Sequence, residues 1–115
     1  MAYVDGVVVP VANDKREDYI TKAKLIGEVF REYGATRVVD CWGSDVPDGK
    51  VTSFPMAVKR AANEAVVFAW VEWPSKAVRD EAWQTVMTDE RIKQTDLPVD
   101  GQRMIFGGFE IVAES

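Results

Sequence analysis

The apolar residues of this chain follow two periods in turn, one typical of strands and one typical of helices. Residues 3–11 are apolar at nearly every position and rich in valine, which indicates a strand buried on both faces. Residues 15–33 have apolar side chains at steps of three and four, which predicts an amphipathic helix. That stripe consists of Tyr19, Ala23, Ile26, Phe30 and Tyr33. Asp14 and Glu17 have the spacing of a capping box at its start, and Gly34 follows where helices often end in a glycine of positive φ.

The second half of the chain repeats this succession. β-Branched and aromatic residues predict strands at 36–42 and 65–73. Pro74 ends the second of these strands, and Ser75 is a suitable N-cap for a helix. The buried stripe of that helix would consist of Val78, Ala82, Trp83 and Val86. A last strand is predicted over residues 102–112.

Three shorter features complete the pattern. The connector 43–64 is rich in turn-forming residues; within it Ser53 suits the start of a short helix, although a short edge strand fits equally well. Asp89 is placed to cap a short turn over residues 89–94. Gly107-Gly108 in the last strand predicts either a bulge or a close approach of another part of the chain.

Together these elements predict one domain, residues 1–115, of the α+β class. Two strand-helix-strand units with right-handed crossovers interleave into a ferredoxin-like βαββαβ fold. This fold is a four-stranded antiparallel sheet with both helices on one face. A chain of this length has enough residues for one core of two layers but not for two cores.

The face of the sheet that the helices do not cover is expected to be apolar. In the third strand one side is Val66, Phe68, Trp70 and Glu72, and the other is Val67, Ala69, Val71 and Trp73. Neither side is mostly polar, whereas a solvated face shows polar alternation. We therefore expect a homodimer that packs sheet face on sheet face. The alternative is a monomer in which the connector 43–64 shields that face.

Three segments of the chain resemble a small, mostly bacterial family of YbaA-like proteins of unknown function. They are DCWGSDVPDGK at 40–50, FAWVEWPSKAVRD at 68–80 and DGQRMIFGGF at 100–109. The resemblance spans roughly residues 3–112 and implies membership of the dimeric α/β-barrel superfamily. That superfamily also holds cofactor-free monooxygenases, haem-degrading enzymes and isomerases, so the resemblance implies a fold and a dimer but no particular reaction.

Composition excludes several classes of function. The net charge of −5 argues against binding to nucleic acid or to anionic membrane surfaces, since both need clustered Lys and Arg. The chain has no histidine, which excludes Ser-His-Asp catalysis and the usual zinc sites. We expect no metal and no cofactor. Cys41 is the single cysteine and is expected to be a buried, inert thiol. With no disulfide and no signal peptide, a cytoplasmic location is expected.

Acidic residues inside apolar strands are the best candidates for chemistry. Asp40 and Glu72 are the candidate catalytic residues, because a carboxyl group beside tryptophans in a cleft can act as a general acid or base. They form one site only if the sheet face that carries Asp40 and Trp42 is the face that carries Glu72. The alternative is that these carboxylates pair with arginines such as Arg37 or Arg79.

An aromatic and methionine set is the candidate ligand pocket, suited to a flat apolar or quinone-like molecule. Its members are Trp42, Trp70, Trp73, Met87, Met104 and Phe106. Core packing or burial in a dimer explains the same residues. Two functional hypotheses follow: a protein that binds or transforms a small apolar or aromatic molecule in a pocket of the dimer, or a non-catalytic dimeric module for assembly or regulation.

Overall fold

The computed structural model describes all residues, 1–115, and it confirms the predicted order of strands and main helices. The elements are β1 (Tyr3–Ala12), α1 (Arg16–Glu32), β2 (Arg37–Trp42), α2 (Phe54–Ala57), β3 (Glu64–Trp73), α3 (Lys76–Val86), α4 (Glu90–Gln94) and β4 (Ile105–Glu110). The side chains of Ser53, Ser75 and Asp89 accept hydrogen bonds from backbone N–H groups at the starts of α2, α3 and α4. The connector therefore contains the short helix rather than the edge strand.

The four strands form one antiparallel sheet in the order β2-β3-β1-β4, which is the ferredoxin-like topology. The two ten-residue strands, β1 and β3, lie at the centre and pair along their whole length, from Tyr3 opposite Trp73 to Ala12 opposite Glu64. Their apolar side chains on both faces suit this central position. The six-residue strands β2 and β4 form the two edges.

Helices α1 and α3 both cover one face of the sheet, which we call the helix face. One part of the core joins Tyr3 of β1 and Trp73 of β3 to Phe30 of α1 and Val86 of α3. A second part joins β1 and β3 to the first half of α1 and consists of Val9, Val11, Tyr19, Ala23 and Val67. None of the helices is both long enough and apolar enough to span a membrane.

The predicted capping box at the start of α1 is wrong. Residues Asn13–Lys15 form a 3-10 turn that runs directly into α1, so Asp14 lies inside that turn rather than at the N-cap. The N-cap position is Lys15, which makes no side-chain capping bond. At the other end of α1 the prediction is confirmed, since Gly34 has a φ of 116°.

The last strand is shorter than predicted. The carboxylate of Asp100 accepts the backbone N–H of Gln102, and its carbonyl accepts that of Arg103, which holds residues 100–103 in a turn. The pair Gly107-Gly108 causes no bulge, because the register of β4 with β1 is continuous. It does mark a close approach: a Cβ atom on Gly108 would overlap the hydroxyl and ring of Tyr3.

The connector covers one end of the other sheet face, which we call the open face. Val58, just after α2, is fully buried between Val8 of β1 and Val66 of β3. Phe54 of α2 packs edge-on against Phe68 of β3, with ring centroids 5.9 Å apart. The rest of the open face has no cover within the chain.

Candidate functional site

The uncovered part of the open face is an apolar trough of about 850 Å³. Its floor is formed by alternate side chains of β3, β1 and β4, and the chain after β4 adds Ile111 and Glu114 to its wall. The apolar side chains that line it are Val4, Val8, Phe68, Trp70, Ile105, Phe109 and Ile111. Val7 and Phe106 border it, but they lie opposite each other and their side chains point to the helix face. Phe68, Ile105 and Phe109 are each more than 40% exposed in the single chain, which is unusual for large apolar residues grouped on one face.

Only three ionisable side chains line this trough, namely Arg37, Glu72 and Glu114. Arg37 of β2 lies directly opposite Glu72 of β3 in the strand register. The guanidinium Nη1 of Arg37 is 3.8 Å from Oε2 of Glu72, which is an ion pair but too long for a hydrogen bond.

Trp70 holds the Glu72 carboxylate at the trough. These residues are two apart in β3, so their side chains lie on the same face, and the indole Nε1 donates to Oε2 of Glu72 at 2.8 Å. The other oxygen, Oε1, receives no hydrogen bond from the protein. The trough therefore presents one oriented carboxylate oxygen with spare accepting capacity.

Asp40 lies on the helix face, because it is opposite Ala69 of β3 in the same register that pairs Arg37 with Glu72. The hydroxyl of the buried Tyr19 donates to Oδ1 of Asp40 at 2.6 Å. Burial and this bond to a carboxylate both raise the pKa of Tyr19 above its ordinary value. Asp40 and Glu72 are thus on opposite faces of the sheet, and the condition for a single site with both carboxylates is not met.

The groove around Asp40 is a separate and smaller feature. It lies between α1 and β2, has a volume of about 370 Å³ and includes Tyr19, Lys24, Arg31 and Trp42 in its lining. The guanidinium of Arg16 stacks over the Trp42 ring at 5.6 Å. This groove mixes both signs of charge and has less than half the volume of the trough, which makes it a poorer site for an apolar ligand.

The structure divides the candidate aromatic and methionine set among three places. Trp70 lines the trough, whereas Phe106 lies opposite Val7 of the helix-face core and its side chain points to the helix face. Trp42 and Met104 pack against the helix-face core, and Trp73 is fully buried in it. Met87 is exposed at the end of α3. Only one member of the set, Trp70, therefore has its side chain at the site that the geometry favours.

Sequence reasoning missed Phe109 and Ile111 as residues of the trough, and it named Arg37 as a possible partner of the strand carboxylates, which is its role beside Glu72. The spacing of Phe109 and Ile105 was a usable signal, since residues four apart on a strand share a face. The sequence could not say which carboxylate Arg37 faces, because that contact depends on the register between β2 and β3. No group of three or more acidic or cysteine side chains lies close enough to hold a metal ion.

Comparison with known proteins identifies relatives of both sequence and fold. The sequence profile of a family described as "Protein of unknown function (DUF1428)" matches residues 2–101. A protein of Escherichia coli described as "Uncharacterized protein YbaA" is 54% identical over 116 aligned residues, which cover 99% of each chain.

Two solved structures illustrate the similarity of fold. A dimeric ferredoxin-like protein from an uncultured marine organism has a TM-score of 0.65 and 8% identity, over 99% of this chain and 98% of that one. SnoaB, a cofactor-independent oxygenase from Streptomyces nogalater, has a TM-score of 0.61 and 11% identity, over 97% of this chain and 95% of that one. At these identities the likeness concerns the fold alone.

Proposed function

This chain belongs to the DUF1428 family of proteins of unknown function, and we propose that it forms a homodimer that binds a small, flat, apolar molecule in the trough of its open sheet face. The observation that carries the proposal is the trough itself. Its volume of about 850 Å³ lies within the range of about 300–1,000 Å³ that is usual for ligand pockets. Its lining is mainly aromatic and aliphatic, with few polar groups to orient a ligand.

The exposed apolar side chains of the open face support the dimer. A contiguous group of this kind is costly in water, and a second copy related by a two-fold axis covers it with the same residues. The connector covers only the end of the face near Val8 and Val66, so it does not replace a partner. A structural neighbour with this fold is described as dimeric, which agrees with this arrangement.

Packing of two open faces would turn each trough into an enclosed space. Stacked aromatic side chains such as Trp70 and Phe109 suit a planar ring, and exclusion of water strengthens any polar contact to Glu72. A cofactor-independent oxygenase shares the fold, which supports a pocket able to receive an organic molecule without a bound cofactor. Cys41 is exposed rather than buried as expected, because it lies on the edge strand β2. We propose a cytoplasmic location, where such a thiol stays reduced.

The test combines molecular mass and ligand binding. We expect sedimentation of the wild type at micromolar concentration to give twice the chain mass of 12.9 kDa. Calorimetric titration with 2-methoxynaphthalene, a neutral planar probe, should show saturable binding. Phe109→Lys places a charge on the open face and should abolish both properties.

Met87→Lys is the matched control, because Met87 is similarly exposed but lies at the end of α3. It should leave both mass and binding unchanged, and circular dichroism should show that both variants are folded. A wild-type mass of one chain would overturn the dimer. A dimer that binds neither 2-methoxynaphthalene nor its hydroxyl analogue 2-naphthol would overturn the pocket and leave a role in assembly only.

A further inference from the structure

We infer that the trough selects planar ring molecules that carry a hydroxyl group, and that Glu72 is the residue that selects them. This inference rests on the proposed function, because it names the class of ligand for the same trough. It is carried by the hydrogen bonding around one carboxylate rather than by the shape of the cavity.

The polar groups of the trough provide more acceptors than donors. The indole N–H is the only donor of the Trp70 side chain, and it already donates to Oε2 of Glu72. Glu114 adds a second carboxylate, and the sole donor side chain left at the trough is Arg37. The guanidinium of Arg37 already faces Glu72 at 3.8 Å, so its charge is directed to that carboxylate rather than to a ligand.

The Glu72 carboxylate is held in a fixed orientation with one oxygen free. Its side chain is only 31% exposed, and the 2.8 Å bond from Trp70 fixes Oε2. Oε1 has no protein donor. A ligand that covers this group and brings no hydrogen-bond donor would leave a carboxylate oxygen desolvated and unpaired, which is unfavourable.

A hydroxyl on the ring removes that penalty by donating to Oε1. A methyl ether or a quinone offers only acceptors at the same place, so it leaves Oε1 unpaired or repels it. The trough should therefore prefer the hydroxylated form of an aromatic molecule to its ether or its oxidised carbonyl form. This narrows the ligand class within flat apolar molecules.

The experiment compares 2-naphthol with 2-methoxynaphthalene, two probes that differ by a methyl group on oxygen. Calorimetric titration of the wild-type dimer should show 2-naphthol binding about tenfold more tightly, equivalent to about 1.4 kcal/mol. 1,4-Naphthoquinone should bind no better than the ether. Glu72→Gln replaces the charged acceptor with a weaker neutral one and should reduce the preference to about threefold or less.

Glu110→Gln is the matched control. It removes the same charge from β4, where Glu110 is exposed and lies opposite the core residue Tyr3 rather than in the trough, so the tenfold preference should persist. Equal binding of both probes by the wild type would overturn this inference while the proposed pocket stands. Retention of the full preference by Glu72→Gln would overturn it as well. Failure of every probe to bind would overturn the proposed function and this inference with it.

Discussion

Asp5 of β1 and Arg79 of α3 form a multiply hydrogen-bonded ion pair at the edge of the core. Arg79 donates from Nη2 to Oδ1 at 2.8 Å and from Nε to both carboxylate oxygens, at 3.0 and 3.2 Å. The second oxygen, Oδ2, also accepts the indole N–H groups of Trp73 and Trp83 at 2.9 and 3.0 Å. One buried carboxylate thus ties β1 to β3 and α3.

Asp5→Asn should lower the free energy of unfolding by about 3 kcal/mol, because it breaks a buried charge pair. The amide keeps the shape of the side chain, but its NH₂ group must face donors on Arg79 or on the two indoles. Urea denaturation followed by tryptophan fluorescence measures the change. Asp14→Asn is the control, because Asp14 is exposed and makes no side-chain hydrogen bond. This substitution should leave the free energy of unfolding almost unchanged. A loss below about 1 kcal/mol for Asp5→Asn would contradict this account.

The Asp5 network also shows which features of the structure could be predicted from the sequence and which could not. An aspartate in an apolar strand is anomalous, and pairing with an arginine was one of the two explanations open for such residues. The order of the elements followed from periodicity and turn residues, because these depend on neighbours in the chain. The partner of an acidic residue in a strand could not be predicted in this way, because it depends on which face of the strand the helices cover.

Asp40 and Glu72 illustrate the limit of that reasoning. Alternation within a strand correctly groups Asp40 with Trp42, and Glu72 with Trp70. It does not say whether the two groups share a face, because a shift of register by one residue exchanges the faces of a whole strand. The register, with Asp40 opposite Ala69, puts them on opposite sides and leaves Glu72 at the trough.

Gly108→Ala should destabilise the protein by about 1–3 kcal/mol, the usual cost of overpacking. A methyl group at this position would overlap the hydroxyl and ring of Tyr3, and Tyr3 is buried in the core. Gly107→Ala is the control from the adjacent position, since its nearest neighbour would be an atom of Phe109 at an ordinary 3.5 Å. Thermal and urea unfolding of both variants should separate them clearly. Equal stability would show that Tyr3 can move aside at no cost.

Glu64→Gln should alter the dependence of stability on pH. Arg103 donates to both carboxylate oxygens of Glu64, at 2.7 and 2.8 Å, and these bonds hold the pKa of Glu64 below its ordinary value of 4.5. A carboxyl group with a lowered folded pKa stabilises the fold above its unfolded pKa, and this contribution is lost as the pH falls through the folded pKa.

The wild type should therefore be more stable than Glu64→Gln at pH 7, and the difference should shrink as the pH falls below about 4.5. Urea denaturation at a series of pH values measures it. Glu81→Gln serves as the control, because Glu81 is exposed and makes no ion pair. Its free energy of unfolding should match that of the wild type at every pH. A difference between wild type and Glu64→Gln that stays constant down to about pH 3 would count against the pairing with Arg103.

Val58→Ala should show that the connector is a packed cover of the open face and not a free loop. Val58 is fully buried against Val8 and Val66. Removal of two carbon atoms should therefore lower the free energy of unfolding by about 2 kcal/mol, because less apolar surface is buried and a cavity is left. Val51→Ala is the control from the same connector, because Val51 is 95% exposed.

Because Val58 joins the connector to the sheet, the loss of stability in Val58→Ala should appear first as local opening of the connector. Limited proteolysis should cut residues 43–63 faster in Val58→Ala than in the wild type or Val51→Ala, at a denaturant concentration where the sheet stays folded. Cleavage at the same rate in all three proteins would mean that the connector does not depend on Val58 for its place over β1 and β3.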